Sequence, residues 1–166
     1  MSKQRFEPKL VRQLNEYFES TKQKAIAYRL RPQQGSYGYQ NIDILVDGEE
    51  YYLGIECKSV LVPSQNKIYF RSHFTTDSKG IHQVTRINDF LSKSGRKGIC
   101  AIELRDDTNR KIAKTDVRFM PWREVARIYE SGAKAIEYEE VRAWPQYMKI
   151  KGVFNLDACL ETCFET

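Results

Sequence analysis

Residues 41–60, NIDILVDGEEYYLGIECKSV, decide the fold of this chain. Two apolar runs flank an Asp-Gly dipeptide, which favours a tight turn, so the stretch predicts an antiparallel β-hairpin. Asp43 lies in the first strand, and Glu56 and Lys58 lie in the second. Side chains at positions i and i+2 of a strand point to the same face. The hairpin therefore brings two carboxylates and an ammonium group together on otherwise apolar strands.

The segments around the hairpin predict the rest of an α/β core. Helical spacing of apolar residues predicts an opening helix, with Pro8 in its first turn, and a later helix that ends at Gly95. The order α-β-β-β-α-β predicts a mixed central sheet flanked by helices. The expected elements are a helix over 6–20, a strand over 25–30, a polar loop over 31–40, the hairpin, a helix over 81–95, a strand over 97–104 and a helix over 120–132.

Two segments have a less definite prediction. Residues 61–80 are polar except for an apolar interruption at 68–70, and they are too long for an ordinary connection. We interpret them as a long excursion, either a strand or an arm. The residues from 133 onward mix short apolar runs with turns. We therefore predict a single domain over 1–166, with its core at about 5–105 and a C-terminal extension, 106–166, of unassigned role.

Bulk composition supports one globular domain. The chain has 166 residues, of which 41% are hydrophobic and 30% are charged. Its net charge of +5 permits an anionic partner such as nucleic acid but does not establish one. No apolar run approaches the ~18 residues of a membrane span, and no apolar leader segment is evident, so we expect a soluble cytoplasmic protein without a membrane partner.

The cysteines and histidines do not indicate a metal site of their own. Cys159 and Cys163 have the spacing of one apolar face of a short terminal helix, and no histidine lies near them in the sequence. His73 and His82 have no ligand-like spacing to any cysteine. We therefore predict reduced thiols and no zinc.

The ionisable groups of the hairpin have two interpretations. They can form a structural ion pair, with Lys58 bonded to Glu56 or Asp43. A buried ion pair is a poor source of stability, however, and a simple pair does not need three charged groups. Alternatively, they bind Mg²⁺, which prefers oxygen ligands: one from Asp43, one from Glu56 and the backbone carbonyl of Cys57. Lys58 then orients or helps to deprotonate the attacking water, or stabilises charge on a phosphate.

Asp43 followed across a hairpin by Glu56-Cys57-Lys58 resembles the PD-(D/E)XK nuclease superfamily. RFEPKLVRQLNEYF, the loop with Gly35-Ser36 and NIDILVDGEEYYLGIECKS resemble the core of the archaeal Holliday junction resolvases. GIHQVTRINDFLSKSGRKGICAIEL resembles a helix and strand of the RecU-type resolvases. The resemblance covers roughly residues 5–105, and Ile42 stands where the superfamily name has Pro.

This resemblance implies a restriction-endonuclease-like fold and a set of site residues. Asp43 and Glu56 are expected to bind Mg²⁺, for which Mn²⁺ can substitute. Lys58 is expected to orient the attacking water or help to deprotonate it. Three further residues match family positions: Glu7 supports the metal shell, also through water, Ser36 lies near the scissile phosphate, and Gln83 faces the site.

Each of these three further residues has an alternative interpretation. Helical periodicity places Glu7 near the Leu10/Leu14 stripe and Glu16 opposite it, but Glu7 can also be a solvated first-turn acid favoured by the helix dipole. Ser36 can be an ordinary loop serine, and Gln83 can face solvent.

The resemblance also implies a function. We expect a Mg²⁺-dependent endodeoxyribonuclease of DNA recombination and repair, a Holliday junction resolvase that acts as a homodimer because a symmetric junction needs two cuts. One alternative is a restriction-like, repair or flap nuclease of the same fold. The other is a catalytically inactive DNA-binding module, against which the intact set of Asp43, Glu56 and Lys58 argues. Phosphate contacts are expected from a group of basic residues, interleaved with Tyr37, Tyr39, Tyr69 and Phe70: Lys3, Arg5, Lys9, Arg12, Arg29, Arg31, Lys67, Arg71, Lys79, Arg86, Lys93, Arg96 and Lys97.

The long excursion after the hairpin has two interpretations. It can be a basic, aromatic arm whose Tyr69, Phe70 and Phe74 reach into the open centre of a junction or stack on unpaired bases. Alternatively, it is a mobile surface loop without function.

Overall fold

The computed structural model describes residues 2–30, 42–109, 111, 114–145, 149–150 and 153–164, with backbone alone for 2–5, 149–150 and 153–154. Ser36 and the rest of the predicted loop lie outside the described residues, as do Arg31, Tyr37, Tyr39 and the side chains of Lys3 and Arg5. The described helices and strands, in chain order, are α1 (Ser2–Ser20), β1 (Ala25–Arg29), β2 (Ile44–Gly48), β3 (Tyr52–Leu61), β4 (Ile68–Tyr69), α2 (Phe70–His73), α3 (Gln83–Ser94), β5 (Lys97–Asp106), β6 (Lys114–Pro121), α4 (Trp122–Glu130), β7 (Ala135–Ile136), α5 (Tyr138–Arg142), β8 (Lys149–Ile150), β9 (Val153–Phe154) and α6 (Leu156–Phe164).

The central sheet is mixed, as predicted. Among the described residues, five strands pair in the order β1-β2-β3-β5-β6. β3 and β5 run parallel, with Glu56 opposite Cys100 and Lys58 opposite Ile102, and the other neighbours run antiparallel. Parallel neighbours need a crossover, and the chain between β3 and β5 makes it through β4, α2 and α3. The predicted order α-β-β-β-α-β of the core is therefore confirmed.

The predicted turn at Asp47-Gly48 is wrong, because both residues extend β2: Asp47 pairs with Tyr52, and Gly48 pairs with Ala25 and donates its N–H to the Tyr51 carbonyl over 2.9 Å. The turn of the hairpin is formed by Glu49 and Glu50.

Each face of the sheet carries its own apolar core. On one face, α1 and α6 bury residues such as Leu10, Leu14 and Cys163 against β3 and β5. On the other, α3 and α4 bury residues such as Val84 and Val125. Because side chains alternate along a strand, Ile55 and Cys57 of β3 belong to the α1 face, and Glu56 and Lys58 point to the α3 face.

Residues after 105, most of which lacked a sequence-based prediction, are built into this same fold. β6 is an edge strand of the sheet, and β7 pairs with β4. Cys159 and Cys163 are buried on α6, which confirms the apolar helix face predicted for them. Asp157 anchors α6, because the hydroxyls of Tyr17 and Tyr51 donate to its carboxylate over 2.8 and 2.6 Å.

The segment 61–80 packs against the sheet and is not a projecting arm. Ile68, Phe70 and Phe74 are buried in the α3-face core, with relative exposures of 0, 4 and 3%. Phe70 and Phe74 are therefore unavailable for stacking on nucleic-acid bases, contrary to the interpretation as an aromatic arm. No described helix combines the length and apolar character needed to cross a membrane.

Candidate active site

Asp43 lies immediately before β2, one residue short of the strand in which it was predicted. The ladder between β2 and β3 reaches Ile44, which pairs with Ile55. Beyond this pair, the next N–H of β3 that faces β2 is that of Cys57, and it donates to Asp43 Oδ2 over 2.8 Å. A carboxylate thus accepts the bond that a continued antiparallel ladder would give to a backbone carbonyl. The result is that the Asp43 carboxylate lies against the Glu56–Cys57 peptide.

Glu56 and Lys58 form a buried ion pair on β3. Lys58 Nζ lies 3.0 Å from Glu56 Oε1, and Lys58 is 6% exposed and Glu56 0% exposed. Phe74 packs above the ammonium, with Nζ 4.3 Å from the ring centroid. The ion pair is therefore held in a largely apolar surrounding, where its electrostatic interactions are poorly screened.

Gln83 connects this ion pair to α3. Its amide Nε2 donates to Glu56 Oε1 over 2.7 Å, and its Oε1 accepts from Lys58 Nζ over 3.2 Å and from Thr75 N–H over 3.1 Å. Gln83 is 5% exposed, so it faces the site and not solvent. Its amide contacts both members of the ion pair and fixes their relative position.

Glu7 is also buried, at 5% exposure. Arg29 Nη2 lies 3.2 Å from Glu7 Oε2. Glu16 and Glu19 are exposed, as helical periodicity predicts for residues away from the apolar stripe. α1 begins at Ser2, so Pro8 lies within the helix and not in its first turn, and Glu7 is not a solvated first-turn acid.

The three acids act electrostatically on one point. The pKa of the Cys57 thiol is raised well above its usual range, mainly by burial and then by the negative charges of Asp43, Glu56 and Glu7. Cys57 belongs to the apolar core on the α1 face. The structure therefore brings Asp43, Glu56, Lys58 and Gln83 together at β3. Glu7 lies on α1, which packs against the opposite face of the sheet from Glu56 and Lys58.

The donors present suit a hard cation such as Mg²⁺. Asp43, Glu56 and the Cys57 carbonyl form an oxygen-only set, and Mg²⁺ normally keeps several waters beside one or two carboxylates. Among the described residues, no three His, Cys, Asp or Glu side chains are grouped as a ready-made metal site.

Several of the basic residues predicted to contact phosphate are committed to acids within the protein. Arg96 bonds to Asp47 over 2.7 Å, and Lys67 Nζ lies 2.8 Å from Glu137. The exposed side chains of the group include Lys9, Arg71, Lys79 and Lys97. Arg96, with a side chain 10% exposed, is therefore withdrawn from the surface, whereas Lys67 stays 42% exposed in a weak surface pair.

Two site residues were missed in their actual roles. Phe74 was considered only for base stacking, and it covers Lys58. His82 has no ligand spacing and was matched, together with Gln83, to a helix of the RecU-type resolvases without a role of its own; it lies directly before Gln83 as the cap of α3. Its position next to a predicted site residue was the signal available in the sequence. Glu103 is a further buried acid, but it accepts from Ser59 over 2.6 Å on the α1 face.

Comparisons with known proteins give a distant structural similarity. No family model matches the chain, and no curated protein matches it. Among solved structures, the chain is similar to Hjc, a Holliday junction resolvase from the archaeal hyperthermophile Archaeoglobus fulgidus. The two chains are 20% identical, the match covers 74% of this chain and 75% of that one, and the TM-score is 0.42. We therefore base the proposed function on the residues of the site itself.

Proposed function

We propose that the protein is a metal-dependent endonuclease that hydrolyses phosphodiester bonds in DNA. The observation that carries the proposal is the position of Asp43, whose carboxylate lies on the Glu56–Cys57 peptide beside the buried Glu56–Lys58 pair. Two carboxylates, a carbonyl and an ammonium at one point match the needs of phosphodiester hydrolysis: a cation held by oxygens and a positive group for the phosphate or the water.

The site residues would divide this work between them. Asp43, Glu56 and the Cys57 carbonyl would hold Mg²⁺ or Mn²⁺. When bound, the ion supplies Lewis-acid polarisation of the phosphate and a more acidic water. Lys58 would orient the attacking water or neutralise charge that develops on the phosphate. Gln83 and Phe74 restrict the ammonium to one position, so little reorganisation would be needed during the reaction.

Cleavage of a panel of DNAs tests the proposal. Four-way junction, flap and linear duplex of shared sequence are incubated with the protein and Mg²⁺ or Mn²⁺. We expect wild-type cleavage of at least one substrate. Asp43→Asn should abolish cleavage, because the substitution removes the negative charge that would hold the cation. The fold should be preserved, because the amide oxygen can still accept from Cys57 N–H.

Matched variants make this test specific. Glu56→Gln should also be inactive. Asp89→Asn, at an exposed acid of α3 that pairs with Lys93 over 3.0 Å, should cleave like wild type. Normal cleavage by both Asp43→Asn and Glu56→Gln would contradict the assignment, and binding without cleavage by wild type would favour an inactive DNA-binding module.

We propose a four-way junction as the substrate and a homodimer as the acting form. The support is the sequence resemblance described above, together with the need for two cuts in a symmetric junction. The protein should bind a junction more tightly than a linear duplex of the same sequence. Because phosphate attraction raises the affinity for every DNA, the comparison needs fixed salt near physiological strength and competitor duplex. Equal affinity would leave a restriction-like, repair or flap nuclease of the same fold.

A further inference from the structure

His82 has both ring nitrogens committed, with opposite roles. The N–H of Val84 donates to Nδ1 over 3.1 Å, so Nδ1 must carry a lone pair. Nε2 lies 2.8 Å from the Phe70 carbonyl, which can only accept, so Nε2 must carry the proton. These two bonds are satisfied together only by the neutral ring with its proton on Nε2.

The surroundings of the ring fix its orientation. It stacks on Tyr129 of α4, with centroids 4.6 Å apart and planes 16° from parallel. It also contacts Phe70 and Phe74 at centroid distances of 6.3 and 5.9 Å. A ring packed between aromatic side chains and bonded at both nitrogens has little freedom to rotate.

The bond at Nδ1 acts on the first turn of α3. His82 is the N-cap residue, and its bond to Val84 N–H holds the backbone on either side of Gln83. The Gln83 amide then contacts Glu56 and Lys58 over 2.7 and 3.2 Å. A cap that fixes the start of this helix therefore also fixes where the Gln83 amide meets the ion pair.

We propose that His82, as the neutral ring protonated on Nε2, is a positioning residue that holds Gln83 against Glu56 and Lys58. The effect of this positioning on cleavage rests on the proposed function. The Phe70 carbonyl sets the tautomer, the tautomer makes Nδ1 an acceptor, and the acceptor caps α3. His82 does not touch the reacting atoms and acts through Gln83.

Two substitutions separate the cap from the ring. His82→Asn keeps an acceptor at the N-cap, a position that Asn favours, but loses the ring. His82→Phe keeps an aromatic ring for Tyr129 but has no acceptor. Outer partners of catalytic groups commonly contribute about 10- to 100-fold. We therefore expect His82→Phe to lower the single-turnover cleavage rate by that amount with unchanged DNA affinity, and His82→Asn to recover most of the rate.

The same variants in a Gln83→Ala background test the route of the effect. If His82 acts through Gln83, the His82→Phe/Gln83→Ala double variant should cleave no more than ~2-fold more slowly than Gln83→Ala alone, since the effects of coupled residues are non-additive. The proposal would be overturned if His82→Phe lowered the cleavage rate by the same factor with and without the Gln83 amide. A His82→Asn variant that cleaves as slowly as His82→Phe would also overturn it.

An NMR readout makes the test independent of cleavage. The Gln83 side-chain amide signals, assigned by their loss in Gln83→Ala, should shift in His82→Phe and stay in place in His82→Asn. A long-range ¹H–¹⁵N spectrum should show the neutral His82 ring with its proton on Nε2. A proton on Nδ1, or an unmoved Gln83 amide in His82→Phe, would overturn the positioning role. Absence of any wild-type cleavage would overturn the proposed function and leave this readout to decide the role of His82.

Discussion

Replacing Lys58 with Met tests the centre of the site, because Met has a similar length and no charge. In the wild type, the ammonium lies 3.0 Å from Glu56 Oε1, and Glu56 has no exposed surface. The substitution also removes the donor to Gln83 Oε1 and the cation above Phe74. Glu56 is then left as a buried carboxylate without its countercharge.

The cost can be worked from this geometry. At 3.0 Å and an effective dielectric constant of ~20, the Coulomb attraction is about 5 kcal/mol. Much of it offsets the desolvation of both ions, and removal of one partner from a buried pair costs about 3–5 kcal/mol. The Gln83 amide still donates to Glu56, so we expect the lower end, about 3 kcal/mol. For a chain of this size that lowers the Tm by roughly 6–12 °C.

Activity and stability must be measured on the same samples. Lys58→Met should cleave ~10²-fold more slowly or worse in single-turnover assays well below its Tm, as expected for a lost electrostatic or proton-transfer group. The double variant Glu56→Gln/Lys58→Met removes both charges. It should regain most of the lost stability and remain inactive.

Two outcomes would refute this reasoning. A Tm equal to that of wild type would show that the buried pair does not exist as described. A destabilised Lys58→Met that cleaves at the wild-type rate while folded would show that Lys58 is only a structural partner of Glu56.

Two further predictions concern other buried groups. Glu7→Gln should lower the cleavage rate while preserving the fold, because the amide oxygen still accepts from Arg29; an unchanged rate in titrations with Mg²⁺ would remove Glu7 from the site. Burial raises the pKa of Cys159 to about 11 and that of Cys163 to about 12 from 9.0. Thiols of the unfolded chain therefore ionise first, and stability should fall as the pH rises from 9 towards 11. The Tm of Cys159→Ala/Cys163→Ala should fall less steeply over this interval, and parallel curves would contradict the assigned shifts.

The hairpin, α1 and α3 were predictable from the sequence because local rules determine them. Two apolar runs separated by a few polar residues predict a hairpin, although the turn falls at Glu49 and Glu50 and not at Asp47-Gly48. Gly95, with a φ of 75°, ends α3 as its left-handed cap. The acids and the lysine of the hairpin were found for the same reason: their spacing along adjacent strands is a local property. Helical periodicity likewise distinguished Glu7 from Glu16.

The tertiary structure alone decided which distant residues complete the site. Chain length could not distinguish an arm from a packed segment over 61–80, and the apolar side chains of that segment are buried because β4 pairs with β7, far along the chain. The same packing places Phe74 over Lys58 and brings the Phe70 carbonyl to His82. The same tertiary packing pairs Arg96 with Asp47, so this side chain is bonded within the protein and not at the phosphate contact that the sequence predicted. Periodicity and turn chemistry act over a few residues, whereas these contacts form only when separate elements bury their apolar faces together.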